Sequence, residues 1–181
     1  MSQGIGTYRC VVINVTDLDL AYRFWSAVTG WEVIGQTPGG WHGRFGYLGH
    51  KDPWKHELIL QVVDSAKGVE TNRVHIDLTP NEGMDRAIEQ IVALGGTVKK
   101  APSLYPRPGS HGDEPPDLEW AVMQDPFGNE FCLVDQLAEH EIRAVLEATR
   151  AGASTDLEWR IAAGRTSASQ EASINPGAEI P

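Results

Sequence analysis

Apolar and β-branched residues dominate "YRCVVINV", Tyr8 to Val15, which predicts a strand. From Asp17 the period changes. Leu20, Phe24 and Val28 recur at helical spacing, Asp17 stands where an N-cap belongs, and Gly30 stands where a helix stops. "DLDLAYRFWSAVTG" therefore predicts a helix. Three strand-like segments follow, "WEVIG", "HGRFGYLG" and "ELILQVV", separated by Gly, Pro and charged residues. In the last of them Leu58, Leu60 and Val62 alternate with Glu57, Ile59 and Gln61, one apolar face against one carrying polar groups. The same order then begins again. "NRVHIDLT" predicts a strand, with Val74, Ile76 and Leu78 set to face helices and His75 and Asp77 on the other side. "NEGMDRAIEQIVALGG" predicts a helix capped by Asn81 and stopped at Gly95–Gly96, and "TVKKA", "LEWAVMQ" and "NEFCLVD" predict strands. The chain thus spells β-α-β-β-β twice.

Between the sixth and seventh strands, "PSLYPRPGSHGDEPPD" is too rich in proline for a helix or a central strand, and it is read as a lid or surface excursion. After Gln136 the pattern becomes helical. "LAEHEIRAVLEATRAG" carries Leu137, Ile142, Val145 and Leu146 as an apolar stripe, and "STDLEWRIAAG" predicts a second, shorter helix. "RTSASQEASINPGAEIP" is polar and predicts a flexible tail. The expected division is 7–136 for the two-module domain, 137–164 for a helical extension and 165–181 for the tail. The stripe must be buried against its own domain or a partner chain, and a homodimer is expected.

Charge narrows the function. A formal net charge of −10 disfavours nucleic-acid partners, because binding phosphates needs a basic surface. No apolar stretch is long enough to span a bilayer, and the first residues lack the basic-then-apolar order of a secretory signal. With only two cysteines in the chain, a cytoplasmic protein with free thiols is expected. There is no phosphate loop, dinucleotide fingerprint or nucleophile elbow.

"VVINVTDLDLAYRFWSAVTGWEV", "NRVHIDL", "ALGGTV" and "DPFGNEFCLV", in this order and spacing, resemble the glyoxalase-like branch of the vicinal oxygen chelate superfamily. The superfamily includes glyoxalase, bleomycin-resistance protein, extradiol dioxygenases and fosfomycin-resistance enzymes. The resemblance implies an α+β fold in which two βαβββ modules curl a mixed sheet around a small-molecule pocket, helices outside. It also implies metal positions on the first, fourth, fifth and eighth strands, usually His, Glu or Gln, His and Glu. Those positions fall here on Cys10, Gln61, His75 and Cys132. Thiols at both outer positions do not suit a hard octahedral ion. Cys10 and Cys132 are read as small buried hydrophobes, and no metal or other cofactor is expected. If an ion were held, the set would be Cys10, Gln61, His75 and Cys132, suited to zinc.

What chemistry remains lies in polar groups of the pocket face. Candidates for acid–base work are His75, Asp77, Glu57 and Glu130; candidates for ligand contact are Asn14, Gln61, Arg44, Trp41, Trp54, Trp120, Cys10 and Cys132, with Glu119 also placed on this face. A nucleophilic thiol, activated by His75, is a further chemical option. Two function classes follow. One is an enzyme of lyase, isomerase or cyclase type acting on a small organic molecule without the usual metal. The other is a protein that sequesters a drug or metabolite, as bleomycin-resistance members do.

Overall fold

The computed structural model describes residues 9–34, 44–50, 56–70, 72, 74–110 and 114–167. The first module is laid out as β1 (Val11–Val15), α1 (Leu18–Thr29), β2 (Glu32–Val33), β3 (Phe45–Gly49) and β4 (His56–Val62). Its sheet has the order β1-β4-β3-β2, with β1 parallel to β4 and the remaining pairs antiparallel. Asp17 caps α1 as expected, its Oδ1 accepting from the Leu20 N–H at 2.9 Å. Gly30 ends the helix at φ 72°, a left-handed position that glycine occupies without strain. Ala21, Phe24 and Trp25 of α1 are fully buried, as are Leu48, Leu58 and Leu60 of the sheet. The Phe24 and Trp25 rings meet edge to face at 5.3 Å. Gly46 lies directly under the Tyr22 side chain: a Cβ there would stand 2.5 Å from the hydroxyl and 2.7 Å from Leu18.

The second module contains β5 (Asp77–Leu78), α2 (Met84–Ala93), β6 (Thr97–Tyr105), β7 (Leu118–Gln124) and β8 (Glu130–Gln136), in the sheet order β5-β8-β7-β6. Two helices follow, α3 (Glu139–Arg150) and α4 (Asp156–Ala162). The fold is therefore α+β, two βαβββ modules each on a four-stranded mixed sheet, with a C-terminal helical extension. No described helix is long and apolar enough to cross a membrane.

Three sequence expectations need correction. The strand expected over "NRVHIDLT" is only two residues long, and Val74 is 76% exposed, so it does not face a helix. α2 starts from Gly83 at φ 85°, not from an Asn81 cap. The proline-rich stretch does not begin as a lid: β6 runs through Pro102 to Tyr105, and Pro102, Pro106, Pro108 and Pro116 are buried. β6 is the edge strand, where the missing proline N–H costs no ladder bond, and its register shifts between Lys100 and Ser103.

The apolar stripe of α3 is covered within its own module. Val145 and Leu137 pack with Leu104 of β6 and with Trp159 and Ala163 at the end of the chain's helical region, and Ile142 joins them. Beside this cluster lies a buried charge network. The fully buried Arg160 of α4 donates from Nε to Glu119 and from Nη2 to Asp85, whose other oxygen accepts from Thr166. Arg165 donates from Nη1 to Glu119 at 3.0 Å and Asp135 at 2.8 Å, and bonds both oxygens of Glu141 at 3.0 Å. Arg165 and Thr166, assigned from composition to the tail, are thus tied into the module; 168–181 lie outside the described residues.

Removing one partner of a buried ion pair strands the other charge. Arg160→Met should lower the unfolding free energy by about 3–5 kcal/mol in urea titrations. A chain ending at Gly164 should lose stability too, since Asp135 and Glu141 lose their guanidinium; equal stability of both variants and the parent would show the network to be idle. Acid should act on the same place. Burial raises the Glu141 pKa, but hydrogen bonds from Arg165 and the Ala138 N–H outweigh it and hold the carboxyl below its usual range. Its stabilisation is fully present above the unfolded value of about pH 4.3 and is lost as pH falls through the folded pKa. Glu141→Gln should therefore flatten the urea midpoint's fall with acid.

Candidate functional site

The two faces of the second-module sheet differ sharply. Along β8 and β7 the register sets Phe131 opposite Met123, Leu133 opposite Ala121, and Asp135 opposite Glu119. Phe131, Met123, Leu133 and Ala121 are buried, and Glu119 and Asp135 are held by the arginines of the extension. This is the helix side, so Glu119 does not belong to the pocket face, contrary to expectation. The other face carries Glu130 opposite Gln124, Cys132 opposite Val122, and Val134 opposite Trp120.

β5 pairs parallel with β8 so that Asp77 falls opposite Cys132, and the Cys132 N–H donates to the Ile76 carbonyl at 2.9 Å. His75 Nε2 lies 3.3 Å from Asp77 Oδ1, and these side chains are 50% and 59% exposed. The Cys132 thiol, buried, donates to Asp77. One donor atom from each of His75, Asp77 and Cys132 lies within 4.8 Å of the others. The sequence paired His75 with Asp77; it did not show that Cys132 shares the same carboxylate, because that depends on the register of a two-residue strand.

The thiol is not an activated nucleophile. Burial pushes its pKa up to about 11, helped by the charge and hydrogen bond of Asp77 and the charge of Glu130, against a weaker pull from Lys100. Its partner is a carboxylate rather than an imidazolium, which argues against the option of a thiolate prepared by His75 at Cys132.

The remaining candidates fall in both modules. Glu130 is buried and clamped, accepting from Lys99 and from the Asn72 N–H, a bonding pattern that fixes the strand more than it serves chemistry. Trp120 lies under the ammonium of Lys100 at 3.9 Å from the ring centroid. Cys10, Asn14, Glu57 and Gln61 belong to the first module, where Asn14 pairs with Gln61 across β1 and β4. Asn129, in the turn before β8, donates to the Asn14 carbonyl at 2.9 Å. Arg44 is exposed and 3.6 Å from Asp64. Trp41 and Trp54 lie outside the described residues. Lys100 and Ser103 were missed by sequence reasoning; their place was hidden by the bulges of β6.

The superfamily's divalent ions can be tested against this donor set. Imidazole, carboxylate and a protonated thiol do not make a site for hard magnesium or manganese. The thiol would have to give up a proton held well above neutral pH.

The thiol makes a direct measurement available. At pH 8, alkylation of Cys132 by iodoacetamide should be about a hundredfold slower than that of an ordinary thiol, and Asp77→Asn should speed it. An ordinary rate in the folded parent, read by mass spectrometry of the Cys132 peptide, would contradict the site as described.

Comparison with known proteins agrees with this architecture. In fold the chain is similar to a genomically encoded fosfomycin resistance protein from Listeria monocytogenes (20% identity, TM-score 0.51, covering 75% of this chain and 95% of that one). It is likewise similar to a glyoxalase-related enzyme from Fulvimarina pelagi (15% identity, TM-score 0.50, covering 72% and 88%). A glyoxalase/bleomycin resistance protein/dioxygenase from Alicyclobacillus acidocaldarius is a third (17% identity, TM-score 0.50, covering 77% and 97%). No curated protein matches in sequence. The model of the glyoxalase-like domain matches residues 10–134, a stretch that holds both modules' sheets almost entirely, and the chain belongs to that family.

Proposed function

We propose that this protein binds a small organic molecule on the open face of its second-module sheet and moves a proton on it through the His75–Asp77 pair. The observation that carries the reading is the 3.3 Å contact between His75 Nε2 and Asp77 Oδ1, half-exposed beside a buried thiol. With Nε2–H directed at the carboxylate, the neutral imidazole presents Nδ1 as the base. Asp77 orients the ring and stabilises the imidazolium formed when Nδ1 takes a proton. Cys132 keeps its proton and gives Asp77 a second partner beside His75. Such a pair suits lyase, isomerase or cyclase chemistry that begins by removing a proton next to a carbonyl.

The competing reading is a sequestering protein with no turnover, and its supporting observation is the net charge of −10, which favours a cationic ligand. Mass spectrometry of ligand retained through native purification identifies the compound class. Small aldehydes, ketones and hydroxy-carbonyl compounds of that class, incubated in D2O, should lose one C–H signal in the presence of the protein. His75→Gln should slow this exchange by about a hundredfold or more with an unchanged urea midpoint. Tight stoichiometric binding with no exchange would favour sequestration; exchange that survives His75→Gln would remove His75 as the base.

A further inference from the structure

Lys100 stands out on the same sheet face. The register places Lys100 opposite Val122, Val122 opposite Cys132, and Cys132 opposite Asp77, one row across all four strands. Strands are spaced by about 4.8 Å, so the row from Lys100 to Asp77 covers about 14 Å between backbone positions, and the Lys100 side chain leans over β7 onto Trp120, which shortens the gap a ligand must bridge. The Lys100 ammonium rests on the Trp120 ring, 3.9 Å from its centroid, and donates to Ser103 Oγ. Among the described residues it forms no ion pair, whereas its neighbour Lys99 is paired with Glu130. Burial lowers the Lys100 pKa, and the charge of Asp156 opposes that shift. The group is thus a partly desolvated cation, held in place by a ring that does not neutralise it, with one of its three N–H donors used.

In a chain with 25 acidic and 15 basic residues, counter-ions are plentiful, yet this lysine is seated on an aromatic face. We infer that Lys100, positioned by Trp120 and Ser103, anchors a carboxylate of the ligand at the end of the row away from His75 and Asp77. The inference rests on the reading of this face as the ligand site. It gives that reading a substrate class: a small carboxylic acid that reaches from the Lys100 ammonium to the His75–Asp77 pair, across the row of three strand spacings from β6 to β5.

Benzoate is the test probe, with benzamide as its neutral isostere and inorganic phosphate as a second anion. Benzoate has no C–H proton for His75 to remove, so its binding reads the anchor alone whether or not the proton-transfer reading holds. Titration followed by NMR should shift the Trp120 indole N–H resonance saturably with benzoate and much less with benzamide. Lys100→Gln should weaken benzoate by about tenfold, and Lys100→Arg should retain it. His75→Gln should leave it unchanged. Equal binding of benzamide and benzoate, or undiminished binding to a folded Lys100→Gln protein, would overturn the anchor. Tighter binding of phosphate at the same resonances would overturn the carboxylate assignment. If Lys100→Gln fails to fold, Trp120→Leu carries the test, with benzoate binding read by isothermal titration calorimetry in place of the lost indole signal: it removes the platform and should likewise weaken benzoate, and unchanged binding there would reject the site.

Discussion

Glu119 is the group on which the second module turns. Its carboxylate is fully buried, and Arg160 binds one oxygen while Arg165 binds the other. A lone carboxylate inside a protein would cost several kcal/mol. Here the cost is met by two guanidiniums, both contributed by the C-terminal extension. The extension therefore does more than cover apolar surface. It makes an acidic residue acceptable on the core side of a strand, and by doing so it settles which face of β7 is core. Once Glu119 is inside, alternation turns Trp120 and Val122 outward, and pairing with β8 turns Cys132 the same way.

Charge is divided between the two faces. On the helix side, two guanidiniums serve four carboxylates, Asp85, Glu119, Asp135 and Glu141, and every one is bonded. On the open side Glu130 is clamped as well, but the remaining polar groups are arranged more loosely. His75 and Asp77 are half-exposed, and Lys100 is bonded only to a hydroxyl and a ring among the described residues. Saturated bonding gives rigidity, and incompletely satisfied groups leave capacity for a ligand. The thiol of Cys132 stands at the boundary: buried like the core, yet bonded to the open face through Asp77.

Much of this was legible in the residues. Asp17 and Gly30 bounded the first helix correctly because caps are local devices, and Leu58 and Leu60 were assigned to the core because alternation in a central strand reports burial. The β7 and β8 strands were also found where "LEWAVMQ" and "NEFCLVD" placed them. What failed was non-local. Glu119 looks like a pocket acid until Arg160, 41 positions away, is seen to bind it. Val74 looks like a core residue because its stretch alternates, but no ladder forms there. Prolines hid β6, since nothing in the local sequence says that a strand will lie at an edge. Arg165 was hidden by its polar neighbours, which composition alone reads as tail.

The brevity of β5 has a consequence for how this family member can change. Asp77 is carried at the rim of the sheet by a strand of two residues, next to β8 alone, and His75 lies just before that strand. Little of the module's cohesion passes through that rim; the bulk resides in β6, β7, β8 and the extension. Substitutions around His75 can thus re-aim or replace these side chains while the folded scaffold is left almost untouched. The protein separates the part that must be kept from the part that can be rewritten, and new chemistry has a low barrier to entry at β5.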